Sequence, residues 1–275
     1  MGAAAELMRT RPARAALVAA GLAMLVGTVA FGYRWSWATD LWPWPDTNLS
    51  YIFIASILAA IAIPTVWIGL SGEMGAIEAG AVDLTVTYVG MTVYLITIAG
   101  DPGQPALGAY IAVFAIAAAS TIAVLAVSRR LDLRDPRPMP AVVRAWFAFF
   151  ACVLIAVSAL LIAHVAVFPW PLRPESSRMF GLIFLGAAAY FVHGFFRPRW
   201  ANATGQLAGF LAYDVVLIVP FIRHFHEVHG TKLISLIVYT AVLVASGALA
   251  IVYLFVRRET RVWPRAEPAP TAALT

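Results

Sequence analysis

Eight stretches of this chain are apolar almost without a break, and the polar residues between them come in short clusters. The stretches run over residues 15–33, 49–70, 75–98, 107–127, 142–166, 176–196, 204–222 and 233–256. An α-helix needs about 20 mostly apolar residues to cross a hydrocarbon layer about 30 Å thick, and each stretch meets that length. The pattern predicts an all-α fold, an integral membrane bundle of eight transmembrane helices. No connection exceeds about fifteen residues, too few to fold a soluble catalytic module outside the bundle. Whatever the protein does takes place in or at the bilayer.

Composition agrees. Hydrophobic residues make up 62% of the 275 and charged residues 12%, with a mean hydropathy of +0.84, far from a soluble domain. Arg9, Arg11 and Arg14 before the first apolar run resemble the start of a secretory leader. That run is longer than a leader's apolar core, and a similar Arg-flanked helix recurs mid-chain, so it reads as the first membrane helix. Cys152, the sole cysteine, falls inside the fifth stretch and forms no intramolecular disulfide.

The net charge of +5 reports topology rather than a nucleic-acid partner. If the N-terminus is cytoplasmic, fourteen of the 19 basic residues fall on the cytoplasmic side. Only Arg34, Arg173, Arg178, Arg223 and Lys232 fall on the other, so both termini are expected inside. Nearly all the basic residues are arginine, the codon bias of a GC-rich genome, and a bacterial inner membrane is the expected location. The proline-containing tail over 257–275 is expected to be disordered.

A repeat runs through the pattern. Residues 42–45 read W-P-W-P and residues 168–171 read F-P-W-P, 126 positions apart. An Arg-flanked helix precedes each and three helices follow each. This predicts two four-helix repeats, over 1–127 and 142–256, joined by a basic cytoplasmic linker at 128–141. With four spans each, the repeats insert with the same orientation and are parallel. Trp42, Trp44 and Trp170 are then expected as interfacial anchors at the outer headgroup level, the alternative being an outer vestibule lined by paired aromatic loops.

The segment P-W-P-L-R-P-E-S-S-R-M-F-G, Pro169 to Gly181, resembles a loop and helix start in uncharacterised polytopic membrane proteins of GC-rich bacteria, which share the duplicated layout. Asp46-Thr47-Asn48-Leu49 replaces the Leu-x-Pro element in the first half. Those proteins carry no established activity, so the resemblance implies architecture and transfers no site.

Ionisable groups inside a membrane are costly and point to function. Asp83 and Asp214 fall about eight and ten residues into the third and seventh stretches, roughly 12 and 15 Å deep at 1.5 Å per residue. They therefore read as equivalent acids of the two halves at nearly equal depth, without a basic residue beside them. A proton-coupling carboxylate fits this description, and so does a structural acid bonded to Tyr88, Tyr190 or Tyr213. Ala76, Gly80, Asp83, Thr87, Gly90 and Tyr94 form one small-and-polar stripe at helical spacing, with Thr87 and Tyr94 as candidate transport residues. Ala201, Gly205 and Gly209 make a close-packing face on the seventh helix, and Asp214 lies about 140° around from Gly209. That helix must be covered on two sides.

His224, His226 and His229, with Glu227, form R-H-F-H-E-V-H-G. The spacing is not that of H-E-x-x-H, yet a loop can gather three imidazoles around zinc or copper. The leading expectation is a small secondary transporter or permease coupled to protons or cations, with a polar cavity reaching both acids. A non-catalytic membrane scaffold or accessory subunit is the first alternative, and a homo-oligomer or membrane complex is the candidate assembly. An intramembrane metal-dependent enzyme is the second. The lipid bilayer is the one partner the sequence demands, a small molecule or ion is the candidate substrate, and no cofactor is indicated.

Overall fold

The computed structural model of the protein describes residues 3–262. Among these are eight helices long and apolar enough to cross a membrane. They are α1 (Arg11–Gly32), α2 (Asn48–Ser71), α3 (Ile77–Ile98), α4 (Gly108–Ser128), α5 (Ala141–Ile162), α6 (Pro174–Phe196), α7 (Trp200–His224) and α8 (Thr231–Ile251). A 3₁₀ turn, Met74–Ala76, leads into α3, and a π-helical turn, Val252–Val256, ends α8. Lipid offers no hydrogen bonds to a bare backbone, so each spanning segment must satisfy its own polar groups, and helices do this.

The ends of the helices are written locally. Thr10 and Thr47 cap α1 and α2 by accepting from the backbone N–H of Ala13 and Ser50, which meets donors the first turn leaves open. Gly72 ends α2 in the left-handed region, at φ +74°, where glycine alone is unstrained. Two boundaries differ from the apolar pattern. The fifth helix stops at Ile162 because His164 turns the chain at φ +60°. The seventh begins at Trp200, four residues early, because the Trp200 N–H reaches the Arg137 carbonyl at 2.9 Å.

The closest helix pairings are α1 with α2, α3 with α4, α5 with α6 and α7 with α8, and, across the chain's midpoint, α2 with α7 and α3 with α6. Exchanging the first four helices for the last four leaves these pairings unchanged. The helices α2 and α6 are the most buried, while α1 and α4 show the most surface. Close contact follows small residues, as expected where lipid gives no hydrophobic drive between helices. A Cβ built on Gly209 would stand 2.7 Å from the Ala60 carbonyl oxygen, and one on Gly186 would stand 2.6 Å from the Asp83 carbonyl oxygen. These two contacts are the same contact in the 126-residue register, since 60 and 186, and 83 and 209, each differ by 126.

The linker at 128–141 is tied down. The Glu73 carboxylate accepts from the backbone N–H of Arg134 at 2.5 Å and of Asp135 at 3.1 Å. Burial raises the Glu73 pKa from its ordinary value, against the opposing pull of those two hydrogen bonds. Asp135 also loses solvation, but hydrogen bonds and charge from Arg137, 2.6 Å away, outweigh this and lower its pKa. Pro138 and Arg199 form a short antiparallel bridge. Residues 257–262 of the expected tail fold back, the Thr260 hydroxyl donating to the Tyr253 carbonyl at 2.7 Å and the Val262 N–H to Leu254 at 2.9 Å. Residues 263–275, expected as its disordered remainder, lie outside the described residues.

At the opposite end the two Trp-Pro loops turn inward. Trp44, Phe168 and Trp170 are buried, at 3–4% exposure, so Trp44 and Trp170 pack within protein and not against headgroups. The Trp170 indole donates to Ser50 at the start of α2 (3.1 Å), and the partly buried Trp42 donates to Ser176 at the start of α6 (3.3 Å). Each loop thus ties to the helix of the other half, and the two serines are again 126 apart. Phe53 lies at the centre of the resulting cluster, with Phe180 at 4.7 Å and Phe168 at 5.1 Å between ring centroids. Of the two loops only Trp42 reaches the wall of the central cavity; Trp44, Phe168 and Trp170 pack into the protein. Hydrogen bonds from two indole N–H groups to serines of the opposite half, together with aromatic burial, hold the loops there.

Candidate functional site

The backbones of α2 and α3 stay apart, as do those of α6 and α7, though side chains such as Tyr190 and Phe191 of α6 reach Asn202 and Phe210 of α7. Among these helices lies a cavity of about 340 Å³. Both Asp83 and Asp214 line it. Its walls are chiefly apolar, where the sequence suggested a polar pathway. The reason is visible in the lining: α2 and α6 contribute aliphatic and aromatic side chains, and the polar groups come from α3, α7 and α8.

The lining follows the 126-residue register closely. Ile57 and Ile183, Leu58 and Phe184, and Leu84 and Phe210 all face the cavity in such pairs. So do Thr87 with Tyr213 and Tyr88 with Asp214. The position matching Asp83 is Gly209, also in the wall. The two acids are therefore on matching helices but at different levels. Asp214 lies five residues past Gly209, the position in register with Asp83, an offset of about 7.5 Å along a helix axis.

Each acid has a hydroxyl partner, and neither partner is a tyrosine. Thr87, one turn along α3, donates to the Asp83 carboxylate at 3.3 Å. Opposite them is Gly186 of α6, where an added Cβ would come within 2.5 Å of that carboxylate. Ser246 of α8 donates to both Asp214 oxygens, at 3.1 and 3.0 Å. Of the tyrosines expected to serve, Tyr190 donates to the Asn202 carbonyl at 3.0 Å, Tyr213 pairs with Tyr239, and Tyr88 packs on Phe114. Among the described residues neither aspartate takes part in an ion pair, and no lysine, arginine or histidine lines the cavity.

Thr87 thus joins the two acids, while Tyr94 does not. It sits farther along α3 with the Arg178 guanidinium 5.5 Å from its ring centroid. Part of the small-and-polar stripe packs on α6, Asp83 and Thr87 against Gly186 and Gly90 against Leu182, while Gly80 has open space beside it. The seventh helix is covered on two sides, by α2 at Gly209 and by α8 at Asp214. Ser246, Tyr239, Gln206 and Gly186 belong to the site and were not singled out from sequence. For Tyr239 and Ser246 a signal exists, since seven residues is two turns and places both on one face of α8.

The histidine loop gathers no metal site. His224 pairs with Glu227, Nδ1 to Oε2 at 2.9 Å, and His226 and His229 are exposed. Among the described residues no three His, Cys, Asp or Glu side chains come together as metal ligands would. Alternate residues, such as His224 and His226, diverge where the chain leaves α7, and only i, i+3 partners meet.

Fold and cavity together define a multi-pass membrane protein with an internal, mostly apolar chamber carrying two acids. Compared with family models, with curated proteins and with solved structures, the chain matches none.

Proposed function

We propose that the protein is a small secondary transporter or permease whose substrate site is the cavity between α2, α3, α6 and α7, with Asp83 and Asp214 as the groups that exchange protons or cations. The observation that carries this reading is the meeting of both acids in one chamber free of basic side chains among the described residues. A carboxylate in that setting must take up either a proton or a cation, and alternation between them is what coupling requires. Thr87 and Ser246 hold the carboxylates in place.

The matched helix pairings and the 126-residue register of the lining support two parallel four-helix repeats about an axis along the membrane normal. The chamber lies at the interface of the repeats, where carriers built in this way place their sites. The basic linker end is the cytoplasmic side in this reading, the Trp-Pro end the outer side, and the membrane a bacterial inner membrane.

Proteoliposomes with a trapped pH dye test it. With a cation, sodium or tetramethylammonium, supplied on one side, the wild-type protein should move protons, and D83N and D214N should each abolish the flux while remaining monodisperse in detergent. A wild type that moves no protons, or a D83N/D214N double variant that moves as many as the wild type, overturns the proposal.

A further inference from the structure

We propose that the ligand of the central cavity is a small organic cation with apolar substituents, such as an aromatic or alkylated ammonium. The inference rests on the reading of the cavity as a substrate site and goes on to name the substrate's chemistry. Charge decides the first half of the argument. Among the described residues the lining has two carboxyl groups and no lysine, arginine or histidine, so an anion would find no partner among them. A neutral apolar ligand would seal the acids from water and give them nothing in return, which is costly for a buried polar group.

The walls decide the second half. A hard inorganic cation needs about six oxygen ligands gathered closely around it. The oxygens here are dispersed and largely engaged: Thr87 on Asp83, Ser246 on Asp214, and Tyr213 on Tyr239. The remaining lining is ring and aliphatic surface, with Tyr88, Phe114, Phe150, Phe184 and Phe210 among it. Aromatic faces attract a cation within about 6 Å of the ring centroid, most strongly where water is excluded. A cation that carries its own apolar skin needs no oxygen cage and fits such walls. The volume of about 340 Å³ lies within the 300–1,000 Å³ span usual for small-molecule sites, about the low end of it.

Equilibrium dialysis of protein in lipid nanodiscs, with empty nanodiscs subtracted, tests the assignment with two probes of similar size and opposite charge, benzyltrimethylammonium and benzenesulfonate. The cation should bind saturably and at least about tenfold more tightly than the anion, and D83N/D214N should weaken it by a similar factor. A Phe184→Leu, Phe210→Leu variant keeps both acids and should weaken the cation severalfold, which guards against a misfolded aspartate variant. Absence of saturable cation binding, equal binding of the anion, or displacement by sodium chloride as effectively as by tetramethylammonium chloride overturns it. Acid-dependent cation binding without proton flux in vesicles would uphold this assignment and remove the transport reading. Acid-dependent proton flux without cation binding would do the reverse.

Discussion

Two glycines test the bundle's geometry directly. A Cβ on Gly209 would stand 2.7 Å from the Ala60 carbonyl oxygen, and one on Gly186 would stand 2.6 Å from that of Asp83. Ordinary contact begins at 3.4 Å, so alanine must push the helices apart locally by about 0.7–0.8 Å, and such a gap forfeits a quarter or more of each neighbouring dispersion contact. Overpacking of this kind costs about 1–3 kcal/mol. Alanine also gains about 1 kcal/mol over glycine in a helix, so the comparison needs a glycine with free space around it. Gly80, on the same helix as Asp83, has nothing within 4 Å of its Cβ position. In reversible unfolding from mixed micelles, G80A should be neutral or more stable than wild type. G186A and G209A should each fall below G80A by about 1–3 kcal/mol, the overpacking cost alone. If G209A and G80A unfold together, α2 and α7 are not in backbone contact, and the pairing that frames the cavity is wrong.

Ser50→Ala leaves the buried Trp170 indole without its acceptor and should cost about 1–3 kcal/mol in the same unfolding experiment, whereas a surface control such as Ser120→Ala should change little. The Asp135 pKa is lower in the folded protein than its ordinary value of 3.8, so its contribution to stability is complete above that value and disappears as pH falls through the lower folded pKa. The stability difference between wild type and D135N should therefore shrink on acidification through that range, and a difference that grows would contradict the Arg137 pairing. For orientation, single cysteines in a C152A background at the exposed positions Asp101 and Asp132 lie on opposite ends of the bundle. An impermeant maleimide should label the first in intact cells and the second only after permeabilisation; the reverse pattern would invert the proposed topology.

Several elements were legible before any coordinates. The eight apolar stretches correspond to the eight long helices, shifted by a few residues at their ends, because crossing hydrocarbon imposes length and composition on the chain itself. Asp83, Thr87 and Asp214 could be singled out because charge and polarity in such stretches are costly enough to need a reason. The register of the two Trp-Pro segments, 126 positions, was equally plain in the residues.

The meeting of the acids in one chamber, their partners and the fate of the tryptophans were decided elsewhere. That both acids face one chamber depends on α3 packing against α6 and α7 against α2, with Gly186 beside Asp83 and Gly209 against Ala60. Ser246 meets Asp214 only because α8 lies along α7, and Trp170 is buried in protein where Ser50, in the other half, accepts its N–H. Hydropathy is a sum over neighbours in sequence, and it sets which segments enter the membrane. A hydrogen bond or a chamber wall depends on which faces of those segments meet, and that follows from small residues allowing close approach at a few points across the bundle.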